Sequence, residues 1–288
     1  MSKTNMTQKL KKLYLNAGQM KAGTTYLYSV LQRHKDIFFS PEKEIHYLSQ
    51  AYGNFKLLSD ETRMRKARSM VEIATRLERP IGPYRHMLKW AADYLRPTTV
   101  DGWYEDMFDG HRDNQWCADF SNLTCTIPVD RLEQISTLAD DMRVTYCIRN
   151  AVSRAISHAK FHLKFAEQES DLANMRPADL RKLLLSDNIY PQSCSEEHIT
   201  ALHKVFGNER LRIVRCETLW ADPRAVVDPL CAFLGIPPVE GEINREAVNV
   251  GPSSTMNAEV TAIFEEVFAP LRDRHAALLE QHRDIVIG

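Results

Sequence analysis

The stretch "LNAGQMKAGTTYLYSVL", Leu15 to Leu31, constrains the fold more than any other. Residues 12–17, "KLYLNA", alternate like a strand and run into Gly18. After the glycine-bearing turn, Leu27, Val30, Leu31 and His34 recur at i, i+3, i+4 and i+7, which predicts one face of a helix beginning near Thr24. The same alternation returns downstream. Residues 114–120, 143–149 and 211–217 read as strands, and 129–139, 153–165 and 222–238 as helices. The last of these opens on Asp-Pro and stops at Gly235 before two prolines. Strands that alternate with helices predict parallel βαβ units, so the expected class is α/β: a P-loop-like parallel sheet flanked by helices on both faces. Residues 48–113 read as a polar helical insertion on that sheet. No Gly/Ser-rich linker or repeat interrupts the chain, and a single domain over 1–288 is expected.

Bulk properties narrow the partners. A chain of 288 residues, 44% hydrophobic, has the apolar content for a sizeable core. Its 37 basic and 38 acidic residues give no global reason to expect nucleic acid or an acidic membrane surface. No run of 18 or more apolar residues predicts a membrane span, and the polar start "MSKTNMTQKLKK" lacks an apolar signal region. The six cysteines show no CxxC spacing; Cys147 and Cys216 fall in expected strands, where a reduced thiol behaves as a small apolar group. A reduced, cytoplasmic protein is the simplest expectation.

The turn itself carries chemistry. A helix N-terminus presents free N–H groups and the positive end of its dipole, and so attracts anions. Gly18 and Gly23 let the backbone wrap closely, Thr24 and Thr25 add hydroxyls, and Lys21 adds a charge. An ordinary βα turn with a chance lysine is the plain alternative. In a triphosphate loop the lysine follows the second glycine and the next Ser/Thr holds Mg²⁺. Here Thr24 stands in that place and Lys21 projects from the loop. The strand 143–149 ends in Arg149 rather than in a metal-holding aspartate, so an ATP-dependent kinase is disfavoured. Arg149 at a strand's carboxyl end suits a phosphate, with a strand-end ion pair as the alternative. Arg154 reads as a third phosphate contact or as a solvated charge. Ser157 read alone is a small helix-surface residue, and His158 and His162 are a helix-face pair without the HExxH glutamate or a third ligand.

Four stretches together carry a resemblance. "MKAGTTYLYSVLQRH" resembles the 5′-phosphosulfate loop of sulfotransferases that use 3′-phosphoadenosine 5′-phosphosulfate (PAPS). "YCIRNAVSRAISHAKFH" (146–162) is similar to their 3′-phosphate motif. "SPEKEIHYLS" (40–49) resembles the "KE" segment of the carbohydrate and heparan-sulfate branch, and "VRCETLWADPRAVVDPLCAFLGIP" the C-terminal helix ending in "FLG". The resemblance implies a PAPS-dependent O-sulfotransferase without a metal, acting on a carbohydrate-like or other small hydroxyl acceptor. It implies that Gly18, Lys21, Ala22, Gly23, Thr24 and Thr25 hold the 5′ side of the donor, and Arg149 with Ser157 the 3′-phosphate. Glu44 is the implied base, needing a pKa raised by burial to work near neutral pH. His46 is the alternative base, Lys21 stabilises the leaving group, and Lys43 faces donor or acceptor. The chain departs from the pattern in four places, one being His34-Lys35 where the family has His-Pro after the first helix. Ala151 stands where proline is usual, and "CADFSN" with Asp119 lacks a lysine frequent in the carbohydrate branch. The stretch 249–257 lacks the usual basic residues, which leaves Ser253 or Ser254 and backbone as donors. The rival readings are a P-loop nucleotide kinase and a non-catalytic PAPS-binding module.

Overall fold

The computed structural model describes residues 9–76, 81–100, 102–165, 172–244 and 256–288. Strand β1 (Leu10–Asn16) leads through the glycine loop into α1 (Thr24–Leu31), followed by β2 (Ile37–Phe39). Four helices come next: α2 (Tyr47–Ala51), α3 (Asp60–Arg76), α4 (Ile81–Tyr94) and α5 (Trp103–Asp106). Then β3 (Trp116–Asp119), α6 (Val129–Ile135), β4 (Ala139–Ile148) and α7 (Ala151–Phe165) alternate. After α8 (Pro177–Leu184) and α9 (Ser195–Arg210) comes β5 (Leu211–Arg215). The chain finishes with α10 (Cys216–Ala221), α11 (Arg224–Leu234), α12 (Ala258–Gln281) and β6 (Val286–Ile287).

The six strands form one sheet in the order β2-β3-β1-β4-β5-β6, and every pairing is parallel. Alternation along β1 explains why both faces are covered. Leu13 and Leu15 join a core cluster with Trp90, Trp103, Ile199 and Leu202 from α4, α5 and α9. Tyr14, on the opposite face, joins Leu27 and Leu31 of α1 and Val226 and Leu230 of α11. Each fully buried aliphatic side chain of this kind contributes about 1.5–3 kcal/mol. Helices α7, α8 and α12 pack on one another around Ala155, Leu180 and Phe264. The expected helical stretch 48–113 holds α2 to α5, and its Leu48, Trp90 and Trp103, with Leu58 from the link between α2 and α3, share a cluster with the β1 residues.

Strand order positions the site. The chain leaves β1 toward β2 on one side and leaves β4 toward β5 on the other, so a crevice opens above the carboxyl ends of β1 and β4. One expectation is adjusted. Cys216 begins α10 rather than ending a strand, because pairing with β4 stops at Arg215. It is nonetheless buried, and all six cysteines are free thiols. Among the described residues no helix is long and apolar enough to cross a membrane.

Candidate active site

The loop after β1 is held by its neighbours. Gly23, the N-cap of α1, has φ 83°, and a Cβ there would lie 2.7 Å from Cys216 Sγ. Gly18 has φ 140°, and a Cβ would lie 2.6 Å from the carbonyl oxygen of Asn122. Only glycine fits either place. Lys21 (φ 67°) and His46 (φ 60°) are the non-glycine residues with positive φ among the described residues. Such conformations persist where the surroundings enforce them, and they concentrate at functional sites. Both belong to the constellation expected from sequence.

A cleft of about 310 Å³ brings much of that constellation together. Lys21, Gly23, Thr24, Thr25, Glu44, Arg149 and Ser157 line it, with Asn122, Phe161 and Trp220. Gly18 and Ala22 do not line it: Gly18 packs on the residue 122 backbone, and Ala22 is fully buried in the cluster beneath α1. A hollow of about 400 Å³ lies between α1 and residues 237–244, away from these groups. Its lining mixes Arg33 and Lys35 with Glu240 and Glu242, so it offers no preference for one sign of charge.

Cations dominate the cleft, and Lys21 and Arg149 sit against aromatic rings rather than in ion pairs with carboxylates among the described residues. Lys21 Nζ sits 4.6 Å from the centre of the Phe161 ring, and the Arg149 guanidinium 4.7 Å from that of Trp220. Arg149 Nη1 donates to the Lys21 carbonyl at 3.1 Å, while its buried Nε has no partner. Among the described residues no carboxylate pairs with Arg149, against the strand-end ion pair. Burial lowers the pKa of both, and the Arg149 charge lowers Lys21 further.

Lys43 joins the two halves. Its Nζ donates to Thr25 Oγ1 at 3.3 Å, to Thr24 Oγ1 at 3.4 Å and to Glu44 Oε1 at 2.9 Å. Asn122 Nδ2 also donates to Glu44 Oε1, at 3.1 Å, and His46 Nε2 lies 3.2 Å from Glu44 Oε2. Burial alone would raise the Glu44 pKa, but the His46 contact and the Lys43 charge outweigh it and bring it down to about 2. This corrects the expectation of a raised pKa: the carboxylate is gripped by cationic and hydrogen-bonding neighbours from three directions. His46 does not line the cleft, and it stands behind Glu44 with a buried, unpartnered Nδ1. Its backbone N–H donates to Ser121 Oγ at 2.8 Å. Ser121 in turn donates to Asp119, which also accepts from Tyr104 OH at 3.1 Å. Burial raises the pKa of Asp119. That residue braces the site from below.

Arg154 is neither a phosphate contact nor a solvated charge: it is fully buried beneath the loop. His158 is buried too and lies against it. Among the described residues no group of three His, Cys, Asp or Glu is placed to hold a metal. Sequence reasoning missed Asn122, Phe161 and Trp220. Asn122 follows a strand's carboxyl end, which is the one local signal that pointed to it; the two aromatics had none. Ser253 and Ser254, with the rest of 249–255, lie outside the described residues.

The sulfotransferase family profile matches residues 17–240. Among solved structures, the chain is similar to a sulfotransferase from Alicyclobacillus acidocaldarius, with 23% identity and a TM-score of 0.61 over 94% of this chain and 96% of that one. It is also similar to the sulfotransferase domain of the Synechococcus PCC 7002 olefin synthase, with 14% identity and a TM-score of 0.53, over 92% and 98% of the two chains. A third likeness is to the sulfotransferase domain from the curacin biosynthetic pathway, at 15% identity and a TM-score of 0.51, over 90% and 98%. At such identities the likeness is one of fold. No curated protein is significantly similar to the chain.

Proposed function

The chain belongs to the sulfotransferase family, and on that premise we propose that it transfers the sulfuryl group of PAPS to a hydroxyl of a carbohydrate-like or other small acceptor, as one domain. The observation that carries this reading is the position of Lys43. One ammonium group spans the loop hydroxyls of Thr24 and Thr25 and the carboxylate of Glu44, so a donor-binding element and a candidate base meet in one cleft. The residues present suit such a donor. Two glycines shape a loop that a Cβ would spoil, and Arg149 keeps an unpartnered Nε beside the cleft.

The reaction is a displacement at sulfur. The acceptor oxygen forms a bond to sulfur, the bond from sulfur to the 5′-phosphate oxygen breaks, and that oxygen keeps the electron pair. The hydroxyl proton passes to Glu44. Lys21 and the amides of the loop stabilise charge growing on the leaving phosphate, while Arg149 and Ser157 fix the 3′-phosphate. Most of the rate then comes from positioning and electrostatics. Glu44 is ionised at neutral pH and ready to accept a proton, although a pKa near 2 makes it a weak base. When Lys43 turns toward the sulfuryl oxygens, Glu44 loses its closest cation and its basicity rises. His46, in contact with the other carboxylate oxygen, is placed to take the proton onward.

Calorimetric titration with adenosine 3′,5′-bisphosphate, the product left by the donor, tests the reading against ATP with Mg²⁺. The bisphosphate is expected to bind at micromolar Kd or tighter and ATP not to. Arg149→Ala is expected to weaken the bisphosphate by about 1.5–3 kcal/mol, the worth of a charged hydrogen bond. Preference for Mg-ATP would instead favour a nucleotide kinase. Bisphosphate binding without sulfuryl transfer to any hydroxyl acceptor would favour a non-catalytic module.

A further inference from the structure

Arg154 is fully buried, and among the described residues no carboxylate pairs with it. It lies in the first turn and a half of α7, at the helix end where a cation is disfavoured by the dipole. A buried guanidinium without a counter-charge costs stability unless something else requires it. Its hydrogen bonds show what it holds. Nη1 donates to the carbonyl of Met20 in the anion loop at 3.2 Å and to His158 Nδ1 at 3.2 Å. Nη2 donates to the Ile189 carbonyl at 3.4 Å and to Ser193 Oγ, and Nε has no partner.

The bond to Met20 fixes more than one atom. A trans peptide is planar, so a Met20 carbonyl drawn toward Arg154 directs the N–H of Lys21 the opposite way, away from the guanidinium. Arg149 holds the next carbonyl, that of Lys21. Two arginines thus grip consecutive carbonyls of one loop: Arg149 from the cleft and Arg154 from the interior. Because Arg154 has no exposed surface, it does not touch a ligand in the cleft.

We propose that Arg154 is the positioning residue of the anion loop: it orients the Met20–Lys21 peptide and places an uncompensated buried charge behind it, so that anion affinity depends on a side chain the anion never meets. The inference rests on the reading of residues 18–25 as an anion cradle. A bound anion supplies the counter-charge that the fold withholds.

The test compares wild type, R154Q, R154K and S193A by calorimetry with adenosine 3′,5′-bisphosphate, and by thermal unfolding with and without inorganic sulfate. R154Q is expected to weaken the bisphosphate at least tenfold while leaving the ligand-free Tm unchanged or higher. R154K, which keeps the charge, is expected to recover most of the affinity. S193A, which removes a support of the guanidinium, is expected to weaken binding threefold or more. Affinity of R154Q within twofold of wild type overturns the proposal. So does a fall in ligand-free Tm that accompanies the loss of affinity, since that marks a purely structural arginine. Should R154Q not fold, unchanged affinity in S193A overturns it. Failure of the donor assignment reads differently: wild type then responds to sulfate but not to the bisphosphate, and Arg154 is judged on the sulfate shift alone.

Discussion

In the proposed reaction, Glu44 is where the chemistry narrows to one side chain. Its carboxylate meets Lys43, Asn122 and His46, all within 3.2 Å. These contacts hold it ionised and in place, so its removal should act on the chemical step rather than on the donor. Glu44→Gln keeps the shape and loses the proton acceptor. It is expected to lower kcat by about 10²–10⁴, the range for a general base, with the Kd for adenosine 3′,5′-bisphosphate changed less than threefold. Steady-state kinetics beside calorimetry checks this, and a kcat within threefold of wild type would remove Glu44 from the mechanism. That Glu44 belongs to the candidate site was legible in "SPEKEIHYLS", but its electrostatics were not. Burial alone suggests a raised pKa; the opposite result comes from Lys43 and from His46, whose left-handed backbone accompanies its contact with Glu44.

At the scale of elements, legibility follows locality. Strand β1, its loop and α1 lie within 22 consecutive residues, and their pattern could be read directly. Strands β2 and β6, three and two residues long, could not: nothing in "IFF" or "VI" specifies a strand until β3 and β5 supply partners. The far wall of the cleft is hidden for the same reason. Phe161 of α7 meets Lys21, and Trp220 of α10 meets Arg149, only through the fold. Trp220 offers a direct readout, because it is 38% exposed while Trp90, Trp103 and Trp116 are buried. Acrylamide should quench one component of the intrinsic fluorescence in the free protein. That component should be shielded when adenosine 3′,5′-bisphosphate occupies the cleft, and should be missing in Trp220→Phe. Binding seen by calorimetry with no change in quenching would place the ligand elsewhere.

Across the whole molecule, α7, α9 and α12 bring three buried histidines around one buried arginine. His158, His198 and His275 are 3%, 6% and 6% exposed. Burial first, and then the Arg154 charge, lower their pKa values to about 3, about 4 and about 4. In the unfolded chain each returns to about 6.5. Between these values the unfolded state binds more protons, so stability rises with pH through the window and is complete above about 6.5. Each histidine contributes a slope of about 1.4 kcal/mol per pH unit there, and the three together about 4. By pH 5 the three together remove about 6 kcal/mol, comparable to the low end of a typical total of about 5–15 kcal/mol. Glu44 works with the same sign in a lower window. Its pKa is depressed from 4.5 to about 2, so its contribution is present above 4.5 and fades only as pH falls toward 2. The onset of acid instability therefore separates the two causes. Tm is expected to fall steadily from pH 7 to pH 5, and less steeply in His198→Gln. Removing the buried charge with Arg154→Gln should let the histidines titrate nearer their ordinary value and flatten the slope as well. A Tm that holds constant down to pH 5 would mean that these rings already share a proton or meet water in the folded state, and the acid limit would then belong to the carboxylates.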